Sequence, residues 1–235
     1  MLTIKIGSSF KANGLSRGGN MAQGVSGETL KQAFNDFQAY RKAGKIVVDY
    51  SLLSSIVMHF TAKNSPKRHQ IQEFYLRSLV APLNTWMSSY NIDTAIRAAH
   101  FLSQSCCETF QYTALTETPR QGGKEYDGRK VLGNVNPGDG PTFIGRGLLH
   151  LTGRLNYNRI GRNLGEDIVS NPQSVASDLN LAVRTACEYW KITNINDAAD
   201  KDDFNSVMRL VNGGHNGRYE RYEALKRAKK KLGII

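Results

Sequence analysis

The chain has 235 residues, 40% hydrophobic and 22% charged, which is enough to bury one sizeable core. Its 31 Lys and Arg against 20 Asp and Glu give a net charge of +11, which favours an anionic partner without choosing among nucleic acid, phospholipid and cell wall. No apolar run approaches the roughly 20 residues that cross a bilayer. The first residues lack a basic region followed by an apolar core, so we expect no Sec signal peptide.

The cysteines predict no disulfide framework, because there are only three and two of them are adjacent: Cys106, Cys107 and Cys187. Free, buried thiols are the expected state. No Cys-x-x-Cys or His-x-x-x-His spacing accompanies them. We therefore expect neither a metal ion nor another cofactor.

The N-terminal part differs in composition from the rest of the chain. Residues 1–28 are rich in Gly, Ser and Asn after a short strand-like start, LTIKI, and predict a loop. Leu30, Phe34 and Phe37 then recur at helical spacing before Gly44. The polar, basic stretch 63–70, KNSPKRHQ, is the predicted boundary between an N-terminal extension, 1–70, and a main domain, 71–235.

Helical periodicity dominates the main domain. Apolar stripes predict helices over 71–90 with a bend at Pro82, from an Asp93 cap to Cys106, and over 152–163, 178–191 and 202–211. No run has the alternating pattern of repeated strands, so the predicted class is mainly α. Residues 117–142 form a long Gly- and Pro-rich loop, and loops of that length are usually functional.

The C-terminal stretch 218–235, RYERYEALKRAKKKLGII, predicts a basic helix. Tyr222, Leu225, Ala228 or Lys229, and Leu232 fall at helical spacing, with Lys and Arg on the other faces. A solvated terminal helix is one interpretation, and contact with an anionic membrane or lipopolysaccharide is the other. Charge alone would also suit nucleic acid, but no recognition motif accompanies it, so we expect no nucleic-acid partner.

Two glutamates nine residues apart, Glu108 and Glu117, raise the question of a catalytic pair. One continuous helix would place them on opposite faces and about 13.5 Å apart along the axis. A fully extended chain would separate them by roughly 30 Å. The β-branched and aromatic residues between them favour an exit from the helix near Glu108. Only a chain that then folds back lets the two carboxyls cooperate, with Glu108 buried at a helix end as acid and Glu117 in a polar loop as base.

Three stretches resemble glycoside hydrolase family 19, the family of chitinases and lysozyme-like phage endolysins. They are LVAPLNTWMSSYNIDTAIRAAHFLSQSCCET, EYDGRKVLGNVNPGDGPTFIGRGLLHLTGRLNY and INDAADKDDFNSVMRLVNGGHNGRYER, within about residues 74–230. The resemblance implies a mainly α, lysozyme-like fold with two lobes and a cleft. It also implies a metal-independent hydrolase that inverts the anomeric centre.

Site residues follow from the resemblance. It implies Glu108 as the acid, Glu117 as the second acid of the lytic members and Thr152 as a holder of the attacking water. The implied substrate-binding residues are Tyr126, Arg129, His150, Asn156, Tyr157, Asn212 and Arg221, with Arg221 near the second acid. Two positions depart from the family pattern: Cys107 replaces a His before the acid, and His150 replaces a Gln. The second change suggests altered subsite preference or pH sensitivity.

The functional prediction is a peptidoglycan hydrolase that cleaves between N-acetylmuramic acid and N-acetylglucosamine, as a bacteriolytic endolysin or a secreted antibacterial effector. A chitinase is the alternative, and a catalytically inactive carbohydrate-binding or inhibitor-like protein is the alternative of another class. A monomer that reaches the cell wall or periplasm by holin release or a secretion apparatus is expected. An effector would also have a cognate immunity protein.

Overall fold

The computed structural model describes residues 45–235, and this part of the chain is mainly helical. Its α-helices, in chain order, are α1 Tyr50–Ile56, α2 Pro66–Ser78, α3 Val80–Ser89, α4 Ala95–Glu108, α5 Asp139–Thr142, α6 Arg154–Leu164, α7 Ser174–Ser177, α8 Leu179–Ile192, α9 Ile195–Asp200, α10 Phe204–Asn212 and α11 Arg218–Lys231. Two 3₁₀ turns, Lys124–Tyr126 and Lys130–Leu132, lie in the long loop. The described residues contain isolated β-bridges but no sheet, which confirms the mainly α class.

Helix α4 lies in the middle of the larger hydrophobic core. Every residue from Ala98 to Cys106 is buried, a pattern expected for a helix with protein on all sides. Phe101 meets Trp190 of α8 edge to face, with ring centroids 5.2 Å apart. Because α4 is surrounded, its last residue, Glu108, is held in a defined position.

The cap of α4 and the break before α3 lie one and three positions away from where the sequence predicts them. Thr94, not Asp93, caps α4, since its Oγ1 accepts from the Arg97 N–H at 3.3 Å. Asp93 instead pairs with Lys45 at 2.8 Å. The break between α2 and α3 falls at Leu79, and Pro82 lies in the first turn of α3, where a missing N–H costs no helical bond.

The predicted domain boundary at residues 63–70 does not coincide with the division between the two compact units of the chain. Leu52, Leu53 and Ile56 of α1 are buried in the larger core, so residues before 63 belong to the helical unit. The chain divides instead into Met1–Gln38 and Ala39–Ile235. The stretch KNSPKRHQ is polar because it forms an exposed turn and the start of α2. The predicted loop and strand within 1–28 and the predicted helix around Leu30 and Phe37 lie outside the described residues.

A smaller hydrophobic core lies beneath the long loop. Its buried members are Phe143, Leu151, Tyr157, Ile160, Leu164, Ile168 and Val175. Tyr189 of α8 packs against both cores. The two cores give the described unit two lobes, and the residues between them form the walls of a cleft.

The long loop is ordered by buried polar contacts. Asn134 is fully buried, donates to the Tyr126 carbonyl at 3.0 Å and accepts from the Arg154 N–H at 2.8 Å. Asp139 accepts from the Arg154 guanidinium at 2.6 Å, which holds the pKa of this carboxyl below its usual value. These contacts attach the loop to the start of α6.

The apolar stripe of helix α11 is buried against α4 and α1. Ala224, Leu225 and Ala228 are fully or almost fully buried, whereas Tyr222 is half exposed. The apolar side that a membrane-surface helix would insert is therefore occupied by protein. Among residues 45–235, no helix is long and apolar enough to cross a membrane.

Candidate active site

Glu108 is oriented by an arginine from the other end of the chain. Arg221 of α11 donates from Nη2 to Glu108 Oε1 at 2.6 Å and from Nη1 to Gln104 Oε1 at 2.7 Å. Its Nε donates to the Asn216 carbonyl at 3.0 Å, and the side chain is only 6% exposed. Arg221 therefore lies beside the first acid, whereas the resemblance implies the second, because α11 packs along α4.

The chain reverses immediately after Glu108. Phe110, Gln111 and Tyr112 have φ of 51°, 64° and 55°, a left-handed turn that costs roughly 1–2 kcal/mol per non-glycine residue. Tyr112 offsets this cost by complete burial, with its hydroxyl 2.8 Å from Ser105 Oγ. The prediction that the helix ends at Glu108 and the chain folds back is confirmed.

Two side-chain amides hold the turn, that of Gln72 in α2 and that of Gln111 in the turn itself. Gln72 of α2, fully buried, donates from Nε2 to the Gln111 carbonyl at 2.8 Å and to the Met58 carbonyl at 3.1 Å, and its Oε1 accepts from the Phe60 N–H at 3.1 Å. Gln111 Oε1 accepts from the Met58 N–H at 2.7 Å. Residues ahead of α2 thus support the segment that joins the two glutamates.

Glu117 is held by two donors. Its Oε1 accepts a short hydrogen bond from the Gly145 N–H, and its Oε2 accepts from the Tyr126 hydroxyl at 3.1 Å. Burial, followed by the charge of Glu117, raises the pKa of Tyr126 to about 12, so the phenol keeps its proton at neutral pH. Glu117 is half-buried and anchored, whereas the sequence predicts a more solvated loop acid.

His150 lies next to both acids. Its Nδ1 is 3.8 Å from Glu108 Oε2, and a Cβ built on Gly145 would meet both His150 Cβ, at 2.8 Å, and Glu117 Cδ, at 3.0 Å. Burial lowers the pKa of His150, opposed by the carboxylates of Glu108 and Glu117 and by the backbone of Ala114. The imidazole is therefore neutral at pH 7. Its Nε2 is buried and has no hydrogen-bond partner of normal geometry among the described residues.

Thr152 and Asn156 form the wall beyond His150. Thr152 Oγ1 donates to the His150 carbonyl at 2.7 Å, and Asn156 Nδ2 donates to the Thr152 carbonyl at 2.8 Å. With its proton used in this way, the Thr152 oxygen can still accept a hydrogen bond from a water molecule.

These groups meet in a cleft of about 370 Å³. Seven of the ten sequence-predicted site residues line it: Glu108, Glu117, Tyr126, His150, Thr152, Asn156 and Asn212. Within residues 45–235, no group of three or more His, Cys, Asp or Glu could hold a metal ion.

The other three predicted residues do not line the cleft. Arg221 acts through Glu108, as described above. Arg129 is exposed, with its guanidinium carbon 5.5 Å from the ring centroid of Tyr126. Tyr157 is fully buried, donates to the Ile144 carbonyl at 2.9 Å and accepts from Arg146 Nη1 at 3.1 Å, so its side chain supports the cleft wall from behind.

The structure adds cleft residues that sequence reasoning missed. Arg146, Thr185 and Tyr189 are the polar ones, and Arg146 is 5% exposed. The two glycines that flank Arg146 are the available signal, because they permit the tight turn that buries its side chain. Tyr189 follows Glu188 and precedes Trp190 in an amphipathic helix and has no distinguishing local signal.

Three comparisons with known proteins bear on the family. Residues 93–207 match the family model for glycoside hydrolase family 19, described as chitinase class I. A glycosyl hydrolase family 19 domain-containing protein of Haemophilus influenzae is 41% identical over 103 residues, which are 43% of this chain and 49% of that protein. An acidic 27 kDa endochitinase of Solanum lycopersicum is 43% identical over 51 residues, 22% of this chain and 21% of the relative. The chain thus spans about half, or less, of the length of these relatives.

Solved structures share the fold. Chitinase C from Streptomyces griseus superposes with a TM-score of 0.61 at 21% identity, covering 80% of this chain and 77% of that one. A bacterial family 19 chitinase superposes with a TM-score of 0.60 at 23% identity, covering 80% of this chain and 96% of that one. At this level of identity the likeness concerns the helical, two-lobed fold.

Proposed function

The chain belongs to glycoside hydrolase family 19, and we propose that it hydrolyses the β-1,4 bond between N-acetylmuramic acid and N-acetylglucosamine in peptidoglycan. The observation that carries the proposal is the pairing of Glu108 and Glu117 in one cleft with different partners. Glu108 projects from the end of a buried helix towards Arg221, and Glu117 is anchored by Gly145 and Tyr126. Two carboxyls in distinct environments are what acid–base cleavage of a glycosidic bond requires.

The proposed role of Glu108 follows from the carboxylate oxygen that Arg221 does not bind. Glu108 Oε1 is bonded to Arg221, so Oε2, the oxygen nearer His150, is the atom that carries the proton to the glycosidic oxygen. Glu117 takes a proton from a water molecule that Thr152 Oγ1 helps to hold. Attack of this water on the opposite face of the sugar breaks the bond in one displacement and inverts the anomeric centre.

The choice of peptidoglycan rests on charge and on the resemblance to lytic members. A net charge of +11 suits an anionic wall better than neutral chitin. A chitinase is the second candidate, favoured by the family model and by the endochitinases among the relatives. An inactive carbohydrate-binding protein is disfavoured, since both acids and Thr152 line one cleft.

The test is hydrolysis by the wild type, Glu108→Gln and Glu117→Gln. We expect release of reducing ends from purified peptidoglycan by the wild type and loss of at least about 10³-fold in each variant, since neither amide can exchange a proton as a carboxyl does. Glu220→Gln is the matched control, because Glu220 is an exposed carboxylate on α11 outside the cleft. Release from chitin but not from peptidoglycan would establish the chitinase instead, and no release from either would indicate an inactive protein.

We propose that the protein acts as a monomer on the periplasmic side of the cell wall. It reaches the wall either as an endolysin released through a holin or as an effector delivered by a secretion apparatus. The gene beside it distinguishes the two: a holin supports the first and a small periplasmic inhibitor the second. Co-expression with that inhibitor would abolish lysis if it is the cognate immunity protein.

A further inference from the structure

A second cavity of about 560 Å³ adjoins the cleft. Glu108 and His150 line both spaces, so a chain bound in the cleft has direct access to the second cavity. Cys107 also lines the second cavity. The residue that replaces the family's histidine therefore faces this cavity, while Arg221 orients the acid.

Two cations from the start of α2, Lys67 and Arg68, also line the second cavity. The guanidinium carbon of Arg68 lies 5.5 Å from the ring centroid of Phe60 and 5.2 Å from that of Phe110. These two rings stack with centroids 6.2 Å apart. Arg68 is therefore held above an aromatic surface, an arrangement that limits its motion and leaves its N–H groups available at the edges.

These cations have no acidic partner in the described part of the protein. Neither Lys67 nor Arg68 forms a salt bridge with a carboxylate of residues 45–235, and Glu108, the acid that lines the cavity, already pairs with Arg221. Three hydroxyl side chains, Thr113, Thr116 and Thr118, and the buried Nε2 of His150 add polar groups. The cavity thus offers cations, hydroxyls and apolar surface, the complement of a short acidic peptide.

We propose that this cavity binds the lactyl-linked stem peptide of an N-acetylmuramic acid residue whose glycosidic bond lies in the cleft. Lys67 and Arg68 bind its carboxylates, the threonines hydrogen-bond its amides, and Ile71, Ala114 and the ring of Phe110 contact its methyl groups. The inference rests on the proposed function. Chitin carries no substituent at this position of the sugar and would leave the cavity empty.

The position of these residues in the chain explains how such selectivity could be added to the family scaffold. Phe60, Lys67 and Arg68 all precede residues 93–207, the segment that matches the family model. The catalytic cleft is built from that segment and from the end of α10, whereas one wall of the second cavity comes from residues that precede the segment.

Kinetics on two substrates test the cavity. We expect Lys67→Ala/Arg68→Ala to raise KM for purified peptidoglycan by about tenfold, with kcat and the hydrolysis of a neutral N-acetylglucosamine hexamer changed less than about twofold. Lys230→Ala/Lys231→Ala is the matched control: it removes the same charge from exposed positions of α11 and its end. Equal losses on both substrates, or equal effects of the two double variants, would overturn the proposal.

A binding measurement separates this inference from the proposed function. Titration of the wild type with N-acetylmuramyl-L-alanyl-D-isoglutamine, followed by calorimetry, should show saturable binding that the Lys67→Ala/Arg68→Ala variant loses and the control variant keeps. Absence of binding to the wild type, or equal binding to all three proteins, overturns the cavity assignment whatever the enzyme cleaves. Binding lost only in that variant supports it even if the wild type proves to hydrolyse chitin alone.

Discussion

Arg221 donates to Glu108 at 2.6 Å although 113 residues separate them in the chain. The same guanidinium also bonds Gln104, one helical turn before Glu108, at 2.7 Å. Two donors on one rigid plane thus define both the position and the rotamer of the proposed acid. This contact, and not the residue before Glu108, orients the proposed acid.

The first prediction concerns the two hydrogen bonds that the Arg221 guanidinium donates to Glu108 and Gln104. Arg221→Lys keeps the charge, but one ammonium cannot bridge both oxygens in the geometry of the guanidinium. We expect kcat to fall about 10- to 100-fold, through misplacement of the acid, and the free energy of unfolding to fall by about 1–3 kcal/mol. Steady-state kinetics and urea unfolding measure the two effects. Arg218→Lys, an exposed arginine of the same helix, should change neither, and a normal kcat for Arg221→Lys would contradict the assignment.

The second prediction concerns the support of the reversed turn. Gln72→Ala leaves the carbonyls of Gln111 and Met58 and the Phe60 N–H without their partner. We expect a loss of about 1–3 kcal/mol in unfolding free energy for these buried polar groups, together with reduced kcat. Gln70→Ala removes an exposed glutamine from the same helix and serves as the control. Equal stability of the two variants would show that the turn does not depend on Gln72.

The third prediction concerns Gly145. A methyl group there would lie 2.8 Å from His150 Cβ and 3.0 Å from Glu117 Cδ, so Gly145→Ala must displace one of these side chains. We expect a loss of about 100-fold in kcat/KM, because misplacement of a catalytic group by about 1 Å has an effect of that size. The check is the rate on purified peptidoglycan or chitin oligomer, whichever the wild type cleaves. Gly214→Ala, with no atom within 4 Å, should retain activity, and similar rates for both variants would refute the crowding argument.

The fourth prediction concerns the pH dependence set by His150. Its pKa is lowered by burial, so the unfolded chain takes up the proton first and stability falls as the pH drops below about 6.5. Protonated His150 would also stabilise the charged form of Glu108, 3.8 Å away, and oppose its role as acid. His150→Gln should therefore flatten the acidic side of both the stability curve and the kcat/KM profile.

Two controls isolate this effect. Burial also lowers the pKa of His100. Because the wild type and His150→Gln both contain His100, its contribution cancels when their stability curves are subtracted. His215→Gln removes an exposed histidine outside the cleft and should leave both curves unchanged. Superimposable profiles for the wild type and His150→Gln would show that the imidazole does not titrate in the working range.

The helical class, most helix positions and the end of α4 at Glu108 could be predicted from the sequence alone. These features depend on the spacing of apolar residues and on propensities within a few positions, which are local properties of a chain. The same local reasoning identified the acids as a pair that needs a reversal between them. Family motifs then supplied seven residues that line the cleft.

The groups that contact those acids could not be predicted in the same way. The contact of Arg221 with Glu108, the burial of Tyr157 and the inclusion of α1 in the core depend on how distant helices pack. The second cavity likewise requires α2 to meet the turn at Phe110. Periodicity shows which face of an element is buried but not which element covers it, and therefore the partners of a polar side chain become known only when the helices are assembled.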